Sequence, residues 1–190
     1  MLQINSLKGS AEKNNAKGAT FEEPLELLLS CHEKIMHYSS ALCTVIEAIK
    51  TQGWTEQHST SIEQIRRYFN IASPEHHLDE EQHLFPAIIA LDSDFKQPQS
   101  MTMVTLINRL IKEHVESDGL WEELDQLLGE RSNNMVQLEA QAQQFKKDMH
   151  QHAKIENEEV FPYAKAHISV AEFKKMGQAI AQRRGVNTQP

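Results

Sequence analysis

The sequence predicts an all-α protein, an antiparallel up-down four-helix bundle with a short fifth helix at its C-terminal end. Three observations carry this expectation. Leu, Ala, Glu and Gln are plentiful, while Gly and Pro number 7 and 6 in 190 residues, which favours helix over sheet. Apolar residues recur at intervals of three and four along four long stretches, and no segment has the sustained period of two that a strand needs. The connections between stretches are short, so successive helices lie side by side and antiparallel.

The first helix is expected to begin at Pro24, a residue suited to a helix first turn, and to end at Gly53. Its stripe runs through Leu25, Leu28, Leu29, His32, Ile35, Met36, Ser39, Leu42, Cys43, Ile46 and Ile49. The second stripe is Ile62, Ile65, Phe69, Ala72, His76, Glu80, His83, Ala87 and Leu91, with a kink or short break expected at Ser73-Pro74. The segment 91–99, with two Asp and Pro98, reads as a loop. Met103, Leu106, Leu110, His114, Ser117, Trp121, Leu124 and Leu128 form the third stripe, closed by Gly129. The fourth is Met135, Leu138, Ala142, Phe145, Met149, His152, Glu156, Val160 and Tyr163. Ser169 with Glu172 three residues later is a capping box that opens the fifth helix, which stops at Gly185. Residues 1–20 are polar and aperiodic and read as a loose arm, residues 21–186 as the bundle domain, and residues 187–190 as a polar tail.

Composition narrows the function classes. A net charge of −8 gives no general electrostatic reason to bind nucleic acid. No stretch approaches the ~20 apolar residues of a membrane span, and MLQINSLKGSAEKNN lacks the apolar core of a secretory signal. Cys31 and Cys43 share one helix and stand roughly 18 Å apart along it, too far to bridge. They read as reduced thiols of a cytoplasmic protein. The unusual count is histidine, at ten.

Four histidines and two glutamates sit inside the apolar stripes: His32, His76, Glu80, His114, His152 and Glu156. A lone stripe histidine is ordinarily a hydrogen-bonded core residue, but these six form a pattern. The second and fourth helices each carry His-x-x-x-Glu, which places imidazole and carboxylate one turn apart on one face. With the first turn near residues 53–56, His32 and His76 each lie roughly 30 Å from it, and similar arithmetic levels Glu80 with His114 and His114 with His152. Burying two carboxylates unpaired would cost several kcal/mol each, and a divalent cation between them removes that cost.

The chain also echoes itself. HHLDEEQHLFP (76–86) and HAKIENEEVFP (152–162) share His, Glu, Phe and Pro at the same offsets, and LLLSCHEKI and RLIKEHVES each supply a lone His before them. Two helix hairpins related by a pseudo-twofold thus contribute two His and one Glu each. Imidazole and carboxylate without thiolate suit iron or manganese better than structural zinc. Two carboxylates among four histidines point to two metals bridged by Glu80 and Glu156, an oxo or hydroxo bridge completing five ligands and leaving a position open. The alternative pair His77/Glu81 is one register step away, but alignment through Phe-Pro favours His76/Glu80. His77, Glu81 and His83 are expected around the site or in solvent, His150 on an exposed opposite face, and Asp118 as at most an extra ligand. Lys174-Lys175 and Arg183-Arg184 read as a solvated face and helix end, and Pro86 and Pro162 as bends or ends of their helices. A ferritin-type site wants two Glu-x-x-His motifs, and only Glu80–His83 fits. No H-E-x-x-H, phosphate loop or G-x-S-x-G elbow is present.

CHEKI around His32, PEHHLDEEQHLFP, KEHVES around His114, HQHAKIENEEVFP and the closing RRGV resemble the hemerythrin-like, HHE cation-binding family, over roughly residues 22–186. The resemblance implies a four-helix bundle holding a non-haem di-iron centre. His32, His76, His114 and His152 would then be terminal ligands and Glu80 and Glu156 bridging carboxylates. The four-His, two-Glu set is closest to the iron-centre repair proteins of that family, whose N-terminal cysteine module has no counterpart in residues 1–20. Two iron ions are the expected cofactor, with manganese or zinc as substitutes in purified protein. The expected partner is a small ligand, oxygen, nitric oxide or peroxide, with a redox partner where electrons are needed. Three functions follow as expectations: binding, sensing or storage; iron donation or reduction of nitric oxide or peroxide; and a metal-free structural bundle.

Overall fold

The structure is a computed structural model and describes residues 20–92 and 98–186. All regular structure among these residues is helical. α1 is Pro24–Gln52, α2 spans 56–89, α3 is Pro98–Gly129, α4 spans 135–167 and α5 is Val170–Arg183. The expected arm, apart from Thr20, and the tail 187–190 lie outside the described residues. No helix among the described residues is long and apolar enough to cross a membrane.

Local chemistry sets the ends. Pro24 occupies the first turn of α1, and Gly53 ends it at a positive φ of 75° that a side chain would disfavour. The side chains of Thr55 and Asn134 accept the backbone N–H of His58 and Gln137 and so cap α2 and α4. Ser169 and Glu172 form the expected capping box of α5. The segment 91–99 is shorter as a loop than its composition implies. A 3₁₀ turn covers Ala90–Asp92 and α3 starts at Pro98, whose missing N–H is no loss at a helix start.

Of the kink or break expected at Pro74 and the bend or end expected at Pro86 and Pro162, the break and the end do not occur. α2 and α4 each run on through π turns: Tyr68–Ala72 and Glu80–Leu84 in α2, Glu156–Val160 in α4. Each π turn closes with an i→i+5 bond, from Ser73 N–H to Tyr68 C=O, from Phe85 N–H to Glu80 C=O and from Phe161 N–H to Glu156 C=O. The residue that follows is Pro74, Pro86 or Pro162 in turn. Proline lacks the N–H for an α-helical bond and its ring crowds the carbonyl four residues back, so the helix widens by one residue instead of ending.

That extra residue moves the buried face. Within and beyond the π turns the stripe positions Ala72, His83, Ala87 and Tyr163 are only half-buried and Leu91 is exposed, whereas Ser73, Leu84, Phe85, Ile88, Phe161 and Ala164 are buried. In α1 and α3 the stripes keep their period, with Leu28, Ile35, Leu42, Leu110 and Leu124 buried.

The core is two apolar clusters stacked along the bundle. One holds Leu28 of α1, Phe85 of α2, Ile107 of α3, Val160 of α4 and Ile180 of α5. The other holds Ile35 of α1, Phe69 of α2, Leu124 of α3 and Phe145 of α4. The start of α1 thus meets the end of α2, the start of α3 and the end of α4, which is the antiparallel order. α5 closes one end, where Gly177 lies so near the Phe21 carbonyl that a Cβ would fall 1.7 Å from its oxygen. Gly177→Ala is therefore expected to cost about 1–3 kcal/mol by overpacking against backbone, read as a lowered unfolding midpoint in denaturant.

Candidate metal centre

On every long helix the polar residues lie between the two apolar clusters. His32 falls between Leu28 and Ile35, His76 and Glu80 between Phe69 and Leu84, His114 between Leu110 and Trp121, and His152 and Glu156 between Met149 and Val160. All six are buried, with His32, Glu80 and Glu156 at 0% exposure.

The structure brings these six side chains together. His32 Nε2 is 3.0 Å from Glu156 Oε2 and 3.7 Å from Glu80 Oε1. His76 Nε2 is 3.4 Å from Glu80 Oε1, and His114 Nε2 is 3.5 Å from Glu80 Oε2. His152 Nε2 is 3.2 Å from Glu156 Oε2 and 2.9 Å from His114 Nε2. The donors fall into two groups, His32, His76, Glu80 and Glu156, and Glu80, His114, His152 and Glu156, with one donor atom of each residue within 4.8 Å of the others. Both glutamates belong to both groups.

These donors compete for too few protons. Burial lowers the His32 and His152 imidazoles, but the adjoining carboxylates override it and raise each to about 10. Burial pushes Glu80 up, and the neighbouring Glu156 carboxylate adds to this, bringing it to about 8. Burial would raise Glu156 as well, but His152 and His32 hold it well below the usual carboxylate range. Burial drives His76 and His114 down, His114 to about 2, so both are neutral donors.

A cation suits this donor set. The four carboxylate oxygens, His32 Nε2 and both His76 nitrogens are buried and, although imidazole and carboxylate approach to between 3.0 and 3.7 Å, make no well-formed hydrogen bond among the described residues. Buried polar atoms are ordinarily paired, and a metal ion is the partner that imidazole nitrogen and carboxylate oxygen share. Residues 23–164 match the model of the hemerythrin HHE cation-binding domain. The chain belongs to the hemerythrin HHE cation-binding family. It is also 28% identical over 172 residues to an uncharacterized protein of Haemophilus influenzae, the match covering 88% of this chain and 94% of that protein.

In this hemerythrin-like chain the residues around the six donors repeat the pseudo-twofold. His32 Nδ1 pairs with Asn157 Oδ1 at 2.7 Å, and His114 Nδ1 with Glu81 Oε1 at 2.7 Å. Asn157 and Glu81 each follow a central glutamate, so each hairpin orients the lone histidine of the other. Phe161 stacks on His32, ring centres 5.2 Å apart, and Phe85 lies parallel to His114 at 6.1 Å. The sequence reading noted the doubled Phe but gave it no role; the equal offset from each glutamate was the signal. His152 Nδ1 pairs with Glu113 Oε2 at 3.0 Å, a partner that sequence spacing did not reveal.

The residues around the donors take the following places. His77 is buried and stacks flat on His114 with centres 4.0 Å apart, outside both donor groups. Asp118 ion-pairs with His77 at 3.5 Å and belongs to neither donor group. His150 is half-buried against α1, with Ser40 Oγ at 3.3 Å, and is not on an exposed face. Arg183 and Arg184 are not a solvated helix end but ion-pair with the buried Asp79, and Arg183 also with Glu75.

Cations compete with protons for these donors. His32, His152 and Glu80, with raised values of about 10, 10 and 8, hold protons at neutral pH, and an incoming ion must displace them. Affinity is therefore expected to climb with pH up to those values and to weaken as pH falls below them. Zn²⁺ competition titrations at about pH 6 and about pH 8 check this, with tighter binding and proton release expected at the higher pH. A pH-independent affinity would show that these protons are not the competitors.

Proposed function

We propose that the chain holds two iron ions, one between His32 and His76 and one between His114 and His152, bridged by Glu80 and Glu156. In this reading it binds or senses a small ligand such as oxygen or nitric oxide, or stores iron. The observation that carries the reading is the sharing of both glutamates by the two donor groups. Each ion would have two imidazole nitrogens and two carboxylate oxygens, fewer donors than an octahedral ion takes. Iron with an open coordination position supplies a binding place for a small molecule.

The chain's own residues support that role by fixing donors and limiting water. Asn157, Glu81 and Glu113 hold the second nitrogens of His32, His114 and His152, which sets which nitrogen faces the centre. Phe161 and Phe85 lie against His32 and His114, and the apolar clusters close the layer on both sides. A cleft of about 360 Å³ lined by Glu113, Glu116, Ser117, Asp148 and His152 leads from solvent to the His152 side. That cleft favours a second reading, in which the same centre releases iron to an acceptor or reduces nitric oxide or peroxide with electrons from a partner.

Metal analysis and the optical spectrum of protein supplied with iron test the reading. Two irons per chain and a charge-transfer band in the oxidised state are expected. His76→Ala and His152→Ala should each lose the band and at least one ion, while His150→Ala should keep both. A native protein that takes up no iron, with a melting temperature unmoved by chelator, would leave the metal-free bundle as the better account. A spectral change when nitric oxide or oxygen meets the reduced protein supports binding, and sustained turnover or iron transfer supports the second reading.

A further inference from the structure

The two halves of the centre differ in how their histidines are held. His32, His114 and His152 each have a partner on the second ring nitrogen. His76 Nδ1 has none among the described residues, although it is buried. The pseudo-twofold explains the gap. Glu113, which orients His152, directly precedes the lone His114; its counterpart preceding His32 is Cys31, which supplies no carboxylate.

What this half has instead is a clamp from α5. Asp79 is fully buried and accepts hydrogen bonds from Arg183 Nη2 at 2.5 Å and from Arg184 Nη2. Arg183 also ion-pairs with the Glu75 carboxylate and donates from Nη2 to the Glu75 carbonyl at 2.7 Å. Glu75 immediately precedes His76 and Asp79 immediately precedes Glu80, where the π turn begins. The corresponding residues of α4 are Gln151 and Ile155, which could not take such a clamp. The clamp helix Val170–Arg183 also lies beyond the residues 23–164 that match the family model.

We infer that Arg183 and Arg184 are positioning residues of the metal centre, holding His76 and Glu80 in place through Glu75 and Asp79. The inference rests on the reading of the centre given above. At Glu80 the helix changes from i→i+4 to i→i+5 bonding, so its own ladder leaves the register of the following turn less constrained. Two guanidinium groups on the preceding carboxylate fix that register from outside the helix. With no hydrogen bond on the His76 ring, backbone placement at Glu75 takes over the orienting task that Glu113 performs on His152. A clamp of this kind governs the ion between His32 and His76 more than the ion between His114 and His152.

Optical titration of the full chain with Co²⁺ tests this, because its visible bands report coordination as well as occupancy. Wild-type protein should bind two ions. Arg183→Ala should weaken one of them by about tenfold or more, with altered bands for that ion, and leave the other in place. Arg183→Lys keeps the charge but loses the forked geometry, so it should recover part of the affinity. Asp79→Asn should reproduce the loss, and it carries the test if Arg183→Ala does not fold. Lys50→Ala, which removes a surface ion pair with Glu139 remote from the layer, should leave both ions unchanged. Two ions bound with wild-type affinity and bands in the folded clamp variant overturn the inference, even with a lower melting temperature. Equal weakening of both ions also overturns it. No Co²⁺ uptake by the wild type would instead overturn the reading of the centre, and the inference with it.

Discussion

Glu80 and Glu156 lie at the middle of the bundle with no exposed surface, their oxygens in ion-pair contact with imidazoles but without a well-formed hydrogen bond among the described residues. Removing a carboxylate from water costs several kcal/mol even after relaxation, and two side by side cost more. Every other feature of the layer follows from that burden. Among the four imidazoles around the pair, His152 and His32 keep Glu156 ionised, while burial and the Glu156 charge push Glu80 upward. Apolar clusters above and below keep water from relieving the charge, which makes a cation the effective partner. A hydrophobic layer of the same volume would serve stability better. Charge retained at this depth fits the cation-binding family to which the chain belongs.

The pseudo-twofold shows how that layer is assembled. Each hairpin carries His-x-x-x-Glu on one helix and a lone histidine on the other, but it does not complete its own surroundings. Asn157 and Phe161 of the second hairpin orient and cover His32 of the first, while Glu81 and Phe85 of the first do the same for His114. Neither half-site is finished until the hairpins dock. The symmetry then breaks at two places that are coupled in space: Cys31 stands where Glu113 has its counterpart, and α5 clamps the helix bearing His76. One half is consequently clamped by the end of α5, and the other lies toward the cleft lined by His152.

Much of this was legible in the sequence. The helix stripes and the convergence of six polar side chains on one level follow from a period of 3.6 and a rise of 1.5 Å, and the ends at Ser169 and Gly53 from the chemistry of those residues. Legibility failed where that period fails. His83, Ala87, Leu91 and Tyr163 were expected on the buried stripe, whereas Leu84, Phe85, Ile88 and Ala164 occupy the core. Each lies within or past a π turn that adds one residue to the count. The salt-bridged clamp was invisible for another reason. Nothing in Arg183-Arg184 or in Asp79 alone distinguishes a buried ion pair from solvated charge; only the return of α5 onto α2 brings them together. Likewise, Glu113 becomes informative only when α3 and α4 are known to pack with His152 facing it.

The prolines then gain a positional meaning that termination could not give them. In an uninterrupted α-helix five residues subtend about 500°, so Phe85 would sit about 140° around the axis from Glu80, away from the centre. The i→i+5 bond between these residues brings the later one nearly above the earlier. Phe85 and Phe161 therefore fall on the same side as the glutamates and reach the lone histidine of the opposite hairpin. Proline one residue later removes the N–H that a regular α-helix would use there, which tips the local choice toward the wider turn. The spacing His-x-x-x-Glu-x-x-x-x-Phe-Pro is thus a single geometric unit. Its first two side chains supply donors, the residue after Glu orients the opposite histidine, Phe covers it, and Pro sets the turn that lets Phe arrive. Such a unit explains why Phe and Pro keep the same offset in both copies although neither can bind a metal.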